Sequence, residues 1–207
     1  MSGFSAIDIF GYAVIISTVA FCVYMYLEGG ADFELKCIVS NTDGDKYCVR
    51  ERAKVDEAVE LLASVTNKCK ELVHYVYNKF PDKDNVQRLY KGFKPQKIME
   101  ILPTSEFTAY SENKGEKIAF CLNKNDKSNK GNDNLIDQHT LMFVAIHELS
   151  HIATKSIGHK SEFWENFKFL LEQAKESGIH MPVDYKKAGN EKNYCGIKIN
   201  DNPYYDT

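Results

Sequence analysis

Several features are missing from this sequence of 207 residues, and each absence excludes or disfavours a class of protein. No two of the six cysteines are spaced as C-x-x-C, which excludes a zinc ribbon. Lysine and arginine are absent before Lys36, so the pattern lacks the basic region of a cleaved signal peptide. Over the whole chain 26 basic residues are balanced by 29 acidic ones. That balance disfavours a nucleic-acid partner, whose phosphates attract an excess of positive charge.

The chain is rich enough in apolar residues to form a folded core. Hydrophobic residues make up 43% of the sequence and aromatic residues 12%, fractions typical of globular rather than disordered proteins. The length accommodates one ordinary domain and an appendage. We therefore expect one folded domain with additional segments at its ends.

One long run near the N-terminus carries no charge. Residues 9–27, IFGYAVIISTVAFCVYMYL, lie between Asp8 and Glu28. As a helix this run would reach about 28 Å, close to the thickness of a bilayer's hydrocarbon core. A buried core helix is an alternative, but such helices rarely run this long without a charge. The sequence thus predicts a single-pass N-terminal membrane anchor that contacts lipid through residues 9–27.

The segment HELSH contains two histidines at helical spacing. His147 and His151 are four residues apart, so a helix places both imidazoles on one face, where they can bind one ion. Glu148 is adjacent to the first histidine but rotated away from it, in the place of a general base. This is the H-E-x-x-H pattern of zinc hydrolases. The alternative, an amphipathic helix that happens to carry two histidines, is the weaker interpretation.

A third histidine follows at a distance that constrains the chain. His159 lies eight residues beyond His151, and on a continuous helix it would be roughly 12 Å farther along the axis. We therefore expect the helix to end after about Ala153 and the chain to fold back at Gly158, with Ser161 capping a new helix. Three histidines leave one tetrahedral position open, which is typical of catalytic rather than structural zinc.

Periodicity and turn residues predict the remaining elements. They are a hairpin at 34–50, a long helix at 51–79, a short helix at 86–93, a second hairpin at 107–122, a helix starting at 136–138, and a helix at 162–177. Cys37 and Cys48 flank the first turn at comparable positions. They face each other as a disulfide or as two reduced thiols, and the sequence leaves both open.

The region around the histidines resembles a known family. HELSH, then GHKSEFW, and then the helix ENFKFLLEQA are similar to the WLM and SprT-like zincin metallopeptidases. The likeness is closest to short WLM-like metallopeptidases of large DNA viruses and some microbes, and it extends over about residues 105–203. The gap between the second and third histidines is longer here than the family usually has.

The resemblance implies an α+β fold in which a small antiparallel or mixed sheet packs on a central HExxH helix. It also implies zinc on His147, His151 and His159, with Glu148 as general base. The resemblance implies that the hairpin at 107–122 provides an edge strand that pairs with an extended peptide substrate. An ordinary structural strand is the alternative, and the sequence leaves both open. Tyr185 and Tyr194 are candidates for stabilising the oxyanion, and His180 with Met181 for the floor beneath the metal.

We accordingly expect four segments: an anchor at 1–28, a linker and hairpin at 29–50, a zincin-like domain at 51–195, and a tail at 196–207. The expected function is that of a membrane-anchored zinc metalloendopeptidase acting on protein or peptide substrates. The alternative is a membrane-anchored structural or assembly protein that contacts other virion or capsid proteins and has little turnover. Either function locates the chain at a membrane, including that of a virion.

Overall fold

Residues 6–29, 35–102, 105–125 and 134–206 are described by the computed structural model of the chain. The contacts divide the chain into two units, residues 1–34 and 35–207. In the first unit the structure describes helix α1 (Ala6–Gly29), with side chains described at residues 10–24.

The predicted membrane anchor is wrong. Among the described residues, no helix has both the length and the apolarity needed to span a bilayer. The prediction took the length and the lack of charge of residues 9–27 as sufficient for a membrane span. The helix also carries polar groups near its middle, where Ser17 and Thr18 both donate hydrogen bonds to the Val14 carbonyl.

The second unit is α+β with a small sheet. Its helices are α2 (Val55–Lys79), α3 (Asp84–Gly92), α4 (Gln138–Ala153) and α5 (Ser161–Glu176), with short 3-10 turns at Pro95–Lys97 and Pro203–Tyr205. Its strands are β1 (Leu35–Val39), β2 (Lys46–Arg50), β3 (Ile98–Glu100), β4 (Ala109–Glu112), β5 (Lys117–Phe120), β6 (Lys192–Tyr194) and β7 (Ile197–Ile199).

The central sheet has the order β3-β5-β4. Strand β3 runs parallel to β5, whereas β4 runs antiparallel to it and forms one edge. Strands β1 and β2 form a hairpin in which Cys37 pairs with Cys48, and these two cysteines form a disulfide. The C-terminal hairpin β6-β7 is joined to the end of β5 by a second disulfide, between Cys121 and Cys195.

Helix α4 lies at the centre of the unit and contacts α2, α3, α5 and β4. It is apolar around most of its circumference, as a helix surrounded by other elements must be. Its fully buried residues include Leu141, Ile146 and Leu149. This arrangement buries the helix that carries the HELSH segment and leaves one side of it facing β4.

A buried ionic cluster connects the first hairpin to the sheet. The Glu100 carboxylate, on β3, pairs with the Arg52 guanidinium and accepts a 2.7 Å hydrogen bond from the Arg50 amide. Arg52 also donates to the Asn123 side chain at 2.8 Å. Because each buried charge has partners, the cluster avoids the penalty of an isolated buried ion and fixes β2 against β3.

Most of the elements predicted from sequence are present, with shifted ends. Both predicted hairpins form, and α4 ends at Ala153, where the third histidine required it to end. Ser161 is the first residue of α5 rather than its cap, since Lys160 occupies the capping position and no side chain caps it. Strand β3 and the β6-β7 hairpin were not predicted.

Candidate metal centre

Helix α4 is capped at its N-terminus by a side chain and presents two histidines on one face. Asp137 caps it by accepting 2.8 Å hydrogen bonds from both the amide and the hydroxyl of Thr140. One turn separates His147 from His151, and their ring centroids are 5.0 Å apart. Both rings are partly buried, so the helix holds them on the side that faces the cleft.

The third histidine reaches the same place from the loop after α4. The helix stops at Ala153, and Thr154 follows in an extended conformation. Gly158 adopts a positive φ of 78°, which side-chain-bearing residues rarely adopt, immediately before the ligand. The Nε2 atom of His159 then lies 3.1 Å from Nε2 of His147. The chain reversal predicted from sequence is present.

The three imidazoles fit one divalent metal ion. One nitrogen of each ring lies within 4.8 Å of one nitrogen of each other ring. Two ligands about 2.1 Å from one tetrahedral ion are about 3.4 Å apart, close to the 3.1 Å between His147 and His159. Among the described residues, no other group of three or more His, Cys, Asp or Glu side chains meets this criterion.

A single aromatic ring supports all three histidines. Phe163 is fully buried, and its ring centroid lies 4.8 Å from that of His147, 4.4 Å from that of His151, and 4.5 Å from that of His159. The next residue, Trp164, donates a 3.1 Å hydrogen bond from Nε1 to the carbonyl of His159. The first turn of α5 therefore fixes both the rings and the loop.

The surroundings keep two of the three histidines, His147 and His151, neutral. Burial lowers the pKa of His147 to about 3, helped by the neighbouring His151 and His159. Burial likewise lowers the pKa of His151 to about 4, with contributions from His159 and Lys114. Because a neutral imidazole is the form that binds a metal, these shifts leave both nitrogens available at neutral pH.

Glu148 is a buried carboxylic acid beside the three rings. Its side chain is 4% exposed, and burial raises its pKa to about 8. Its Oε2 atom is buried and has no hydrogen-bond partner among the described residues. A cation nearby favours the ionised form of a carboxyl group, so an ion at the histidines would return Glu148 to a carboxylate. The unpartnered oxygen and the three-nitrogen donor set together fit a catalytic zinc site.

Two adjoining hollows meet at the histidines and Glu148. The first, about 910 Å³, is lined by the three histidines, by residues 105–114 in part, and by Ile157 and Gly158. The second, about 650 Å³, is lined by Phe143 and Val144 of α4 and by residues 194–199 in part. Phe107, Ala109, His147, Glu148 and His159 line both. The centre thus opens onto a continuous cleft that runs along β4.

The tyrosines proposed for oxyanion stabilisation are placed differently. The hydroxyl of Tyr194 donates to the Thr108 carbonyl at 3.2 Å and accepts from the Cys121 amide at 3.1 Å. Tyr194 lines the second hollow, but its hydroxyl is therefore committed to the backbone. Tyr185 is fully buried, packs edge-on against Phe143, and lines neither hollow.

The histidine proposed for the floor lies elsewhere. His180 stacks on His139, with ring centroids 4.2 Å apart. The Met181 carbonyl is 2.8 Å from Nε2 of His139. Neither His180 nor Met181 lines the hollows at the centre. The residue that packs against all three histidines at the centre is Phe163.

Sequence reasoning missed the polar side chains that hold the ligand loop. Glu162 accepts hydrogen bonds from the amides of Lys155 at 2.9 Å and Ser156 at 3.0 Å. Arg88 donates to the Ala153 carbonyl at 2.8 Å and pairs with Glu162 at 3.4 Å. These contacts join residues 6 to 74 positions apart, and no local pattern in the sequence indicates them.

Similar proteins are viral. An uncharacterized protein of Acanthamoeba polyphaga mimivirus is 26% identical over 197 residues, which cover 93% of this chain and 95% of the relative. One of Invertebrate iridescent virus 6 is 36% identical over 80 residues, 39% of this chain and 41% of the relative. One of Invertebrate iridescent virus 3 is 38% identical over 61 residues, 30% and 36% of the two chains. No protein-family profile and no solved structure matches the chain.

Proposed function

We propose that the chain is a zinc-dependent metalloendopeptidase of the WLM/SprT-like zincin type that hydrolyses peptide bonds in protein substrates. The observation that carries the proposal is the convergence of His147, His151 and His159 beside the buried carboxyl of Glu148. Bound zinc would polarise the substrate carbonyl and lower the pKa of a water molecule.

The other roles in the reaction fall to side chains of this protein. The three histidines supply nitrogen donors, of which His147 and His151 are kept neutral by burial, and Phe163 keeps the rings in place. Glu148 accepts a proton from the attacking water and passes it to the leaving amine. Its position in a cleft, beside the ligands but not among them, suits a general base.

The cleft suits an extended peptide. Strand β4 pairs only with β5 among the described residues, so its other edge has backbone donors and acceptors for a further strand. Ala109, Tyr110, Ser111 and Glu112 of β4 all line the same hollow as the histidines. A substrate added to this edge in strand form would pass directly over Glu148.

Cleavage of an unstructured protein tests the proposal. The full chain should degrade an unfolded substrate such as reduced, carboxymethylated casein, lose this activity in a zinc chelator, and regain it when zinc is restored. Unchanged cleavage in the chelator would assign the activity to a contaminant. Absence of cleavage at full zinc occupancy would favour the second candidate function.

That second candidate is a structural or assembly role in a virion or its capsid. It is compatible with the viral origin of the relatives, which are themselves uncharacterized. The peptidase proposal is preferred because a packing module has no need of an unpartnered buried carboxyl oxygen beside three metal donors. Burying such a group costs roughly 1–3 kcal/mol unless a partner satisfies it.

A further inference from the structure

The loop that delivers His159 has little apolar contact to hold it. Ile157 is 84% exposed, and a Cβ atom added at Gly158 would meet nothing within 4 Å. Residues 157–160 are all exposed. Since hydrophobic burial contributes little at residues 157 and 158, the position of this segment depends on polar contacts made just before it, together with the contacts of Phe163 and Trp164 with His159.

One lysine on another element makes three of those contacts. The Nζ atom of Lys114, in the β4-β5 turn, donates to the carbonyls of His151 at 3.2 Å, Thr154 at 2.8 Å and Ser156 at 2.8 Å. An ammonium group has three donors, so its capacity is filled by this loop. The first acceptor belongs to a ligand itself, near the C-terminal end of α4, where a positive charge is favoured.

The turn that carries the lysine is itself fixed. Asn113 and Lys114 have positive φ values of 46° and 57°, and Gly115 follows at 101°. A Cβ atom at Gly115 would lie 2.5 Å from the carbonyl oxygen of Gly92 and 2.8 Å from the side chain of Ile152. The turn is thus in close contact with the ends of α3 and α4, and the ammonium projects from a rigid support.

Glu162 completes the arrangement from the opposite side. It accepts from the amides of the loop, whereas Lys114 donates to the carbonyls. The two are not equivalent, because Glu162 is in the helix that follows His159. Lys114 instead belongs to the hairpin whose strand β4 lines the cleft. It thereby connects the proposed peptide-binding strand to the ligand loop.

We infer that Lys114 is a positioning residue of the metal centre, which sets the loop so that His159 meets His147 and His151. The inference rests on the proposed function, because it takes the three histidines to be zinc ligands. Partners outside the ligand set commonly change metal affinity 10–100-fold when they are removed. A residue that only stabilised the fold would change the unfolding midpoint and leave zinc affinity unaltered.

The test is a zinc titration of the full chain against a chromophoric chelator, with the unfolding midpoint of the metal-free protein measured in parallel. Lys114→Met removes the donors at similar length, and it should raise the zinc dissociation constant roughly 10–100-fold. Lys114→Arg keeps the charge, but the planar guanidinium cannot reach three divergent carbonyls. Its zinc dissociation constant should therefore lie between those of Lys114→Met and the unsubstituted chain. Lys91→Met, an exposed lysine at the end of α3, is the matched control and should leave affinity unchanged.

The outcomes separate the two proposals. If the unsubstituted chain binds zinc and both Lys114 variants bind it equally well, the inference is overturned and the proposed function stands. If the unsubstituted chain binds no zinc, both are overturned. Should Lys114→Met fail to fold by circular dichroism, Lys114→Arg decides the question, since it must still bind zinc more weakly than Lys91→Met.

Discussion

The Nε2 atoms of His147 and His159 lie 3.1 Å apart, although twelve residues separate them in the chain. This approach depends on the end of α4 at Ala153 and on the positive φ of Gly158. It brings a third nitrogen to a pair that the helix alone had aligned. The account of the metal centre therefore depends on the loop as much as on the HELSH helix.

His159→Ala should sharply weaken zinc binding. Removing the loop ligand leaves two histidines, too few for the proposed site. Equilibrium dialysis followed by metal analysis would measure the loss. His74→Ala, at an exposed histidine on α2, is the control and should retain zinc. Full occupancy in His159→Ala would mean that another residue is the third ligand.

Phe163→Ala should destabilise the fold and loosen the site together. Replacing a fully buried phenylalanine by alanine costs about 3–5 kcal/mol of unfolding free energy, and here it also removes the ring that touches all three ligands. Denaturant unfolding would measure the first effect. Phe107→Ala, at a side chain 61% exposed, should change the unfolding free energy by about 0.5 kcal/mol or less. Equal losses in the two variants would refute the assigned burial.

Stability should fall at acid pH through Glu60. Hydrogen bonds, chiefly from the Thr42 hydroxyl and the Asn41 amide, lower its pKa from 4.5 to about 2. The unfolded chain therefore binds a proton at higher pH than the folded one. The stabilisation is present above pH 4.5 and is lost as the pH falls toward 2. In Glu60→Gln the unfolding midpoint should change less with pH over this window than it does in the unsubstituted chain. A pH profile parallel to that of the unsubstituted chain would contradict the assignment.

The two disulfides should contribute unequally. Cys121–Cys195 closes a sequence separation of 74 residues and Cys37–Cys48 one of 11. The loop-length dependence of chain entropy gives the longer loop an advantage of about 1.7 kcal/mol. Unfolding of the paired variants Cys121→Ser with Cys195→Ser, and Cys37→Ser with Cys48→Ser, would measure the difference. A larger loss from the shorter loop would show that chain entropy does not govern their ranking.

The features that were predictable from the sequence are those set by the spacing of residues close together in the chain. The four-residue spacing of His147 and His151 determines which face of a helix they share, and the requirement that His159 reach them determines where that helix ends. The first hairpin was predictable because its turn residues separate two runs of strand-forming residues. These inferences use neighbours along the chain, for which periodicity is a direct physical signal.

Contacts between distant residues were not predictable in the same way. Strand β3 is three residues long and forms only by pairing in parallel with β5, whose residues lie 20 positions later. The three acceptors of Lys114 lie 37 to 42 residues beyond it. The predicted membrane anchor failed for a different reason, because the length and lack of charge of residues 9–27 were taken as sufficient evidence of a bilayer span, whereas no described helix is both long and apolar enough.

Zinc content and proteolysis, measured together for the unsubstituted chain and Glu148→Gln, test the central claim most directly. Glu148 lies beside the ligands without being one, so Glu148→Gln should retain one zinc ion per chain. It should also lose cleavage of an unfolded protein by a factor of at least about 100, within the contribution expected of a general base. Retained cleavage in Glu148→Gln at full zinc occupancy would contradict the account.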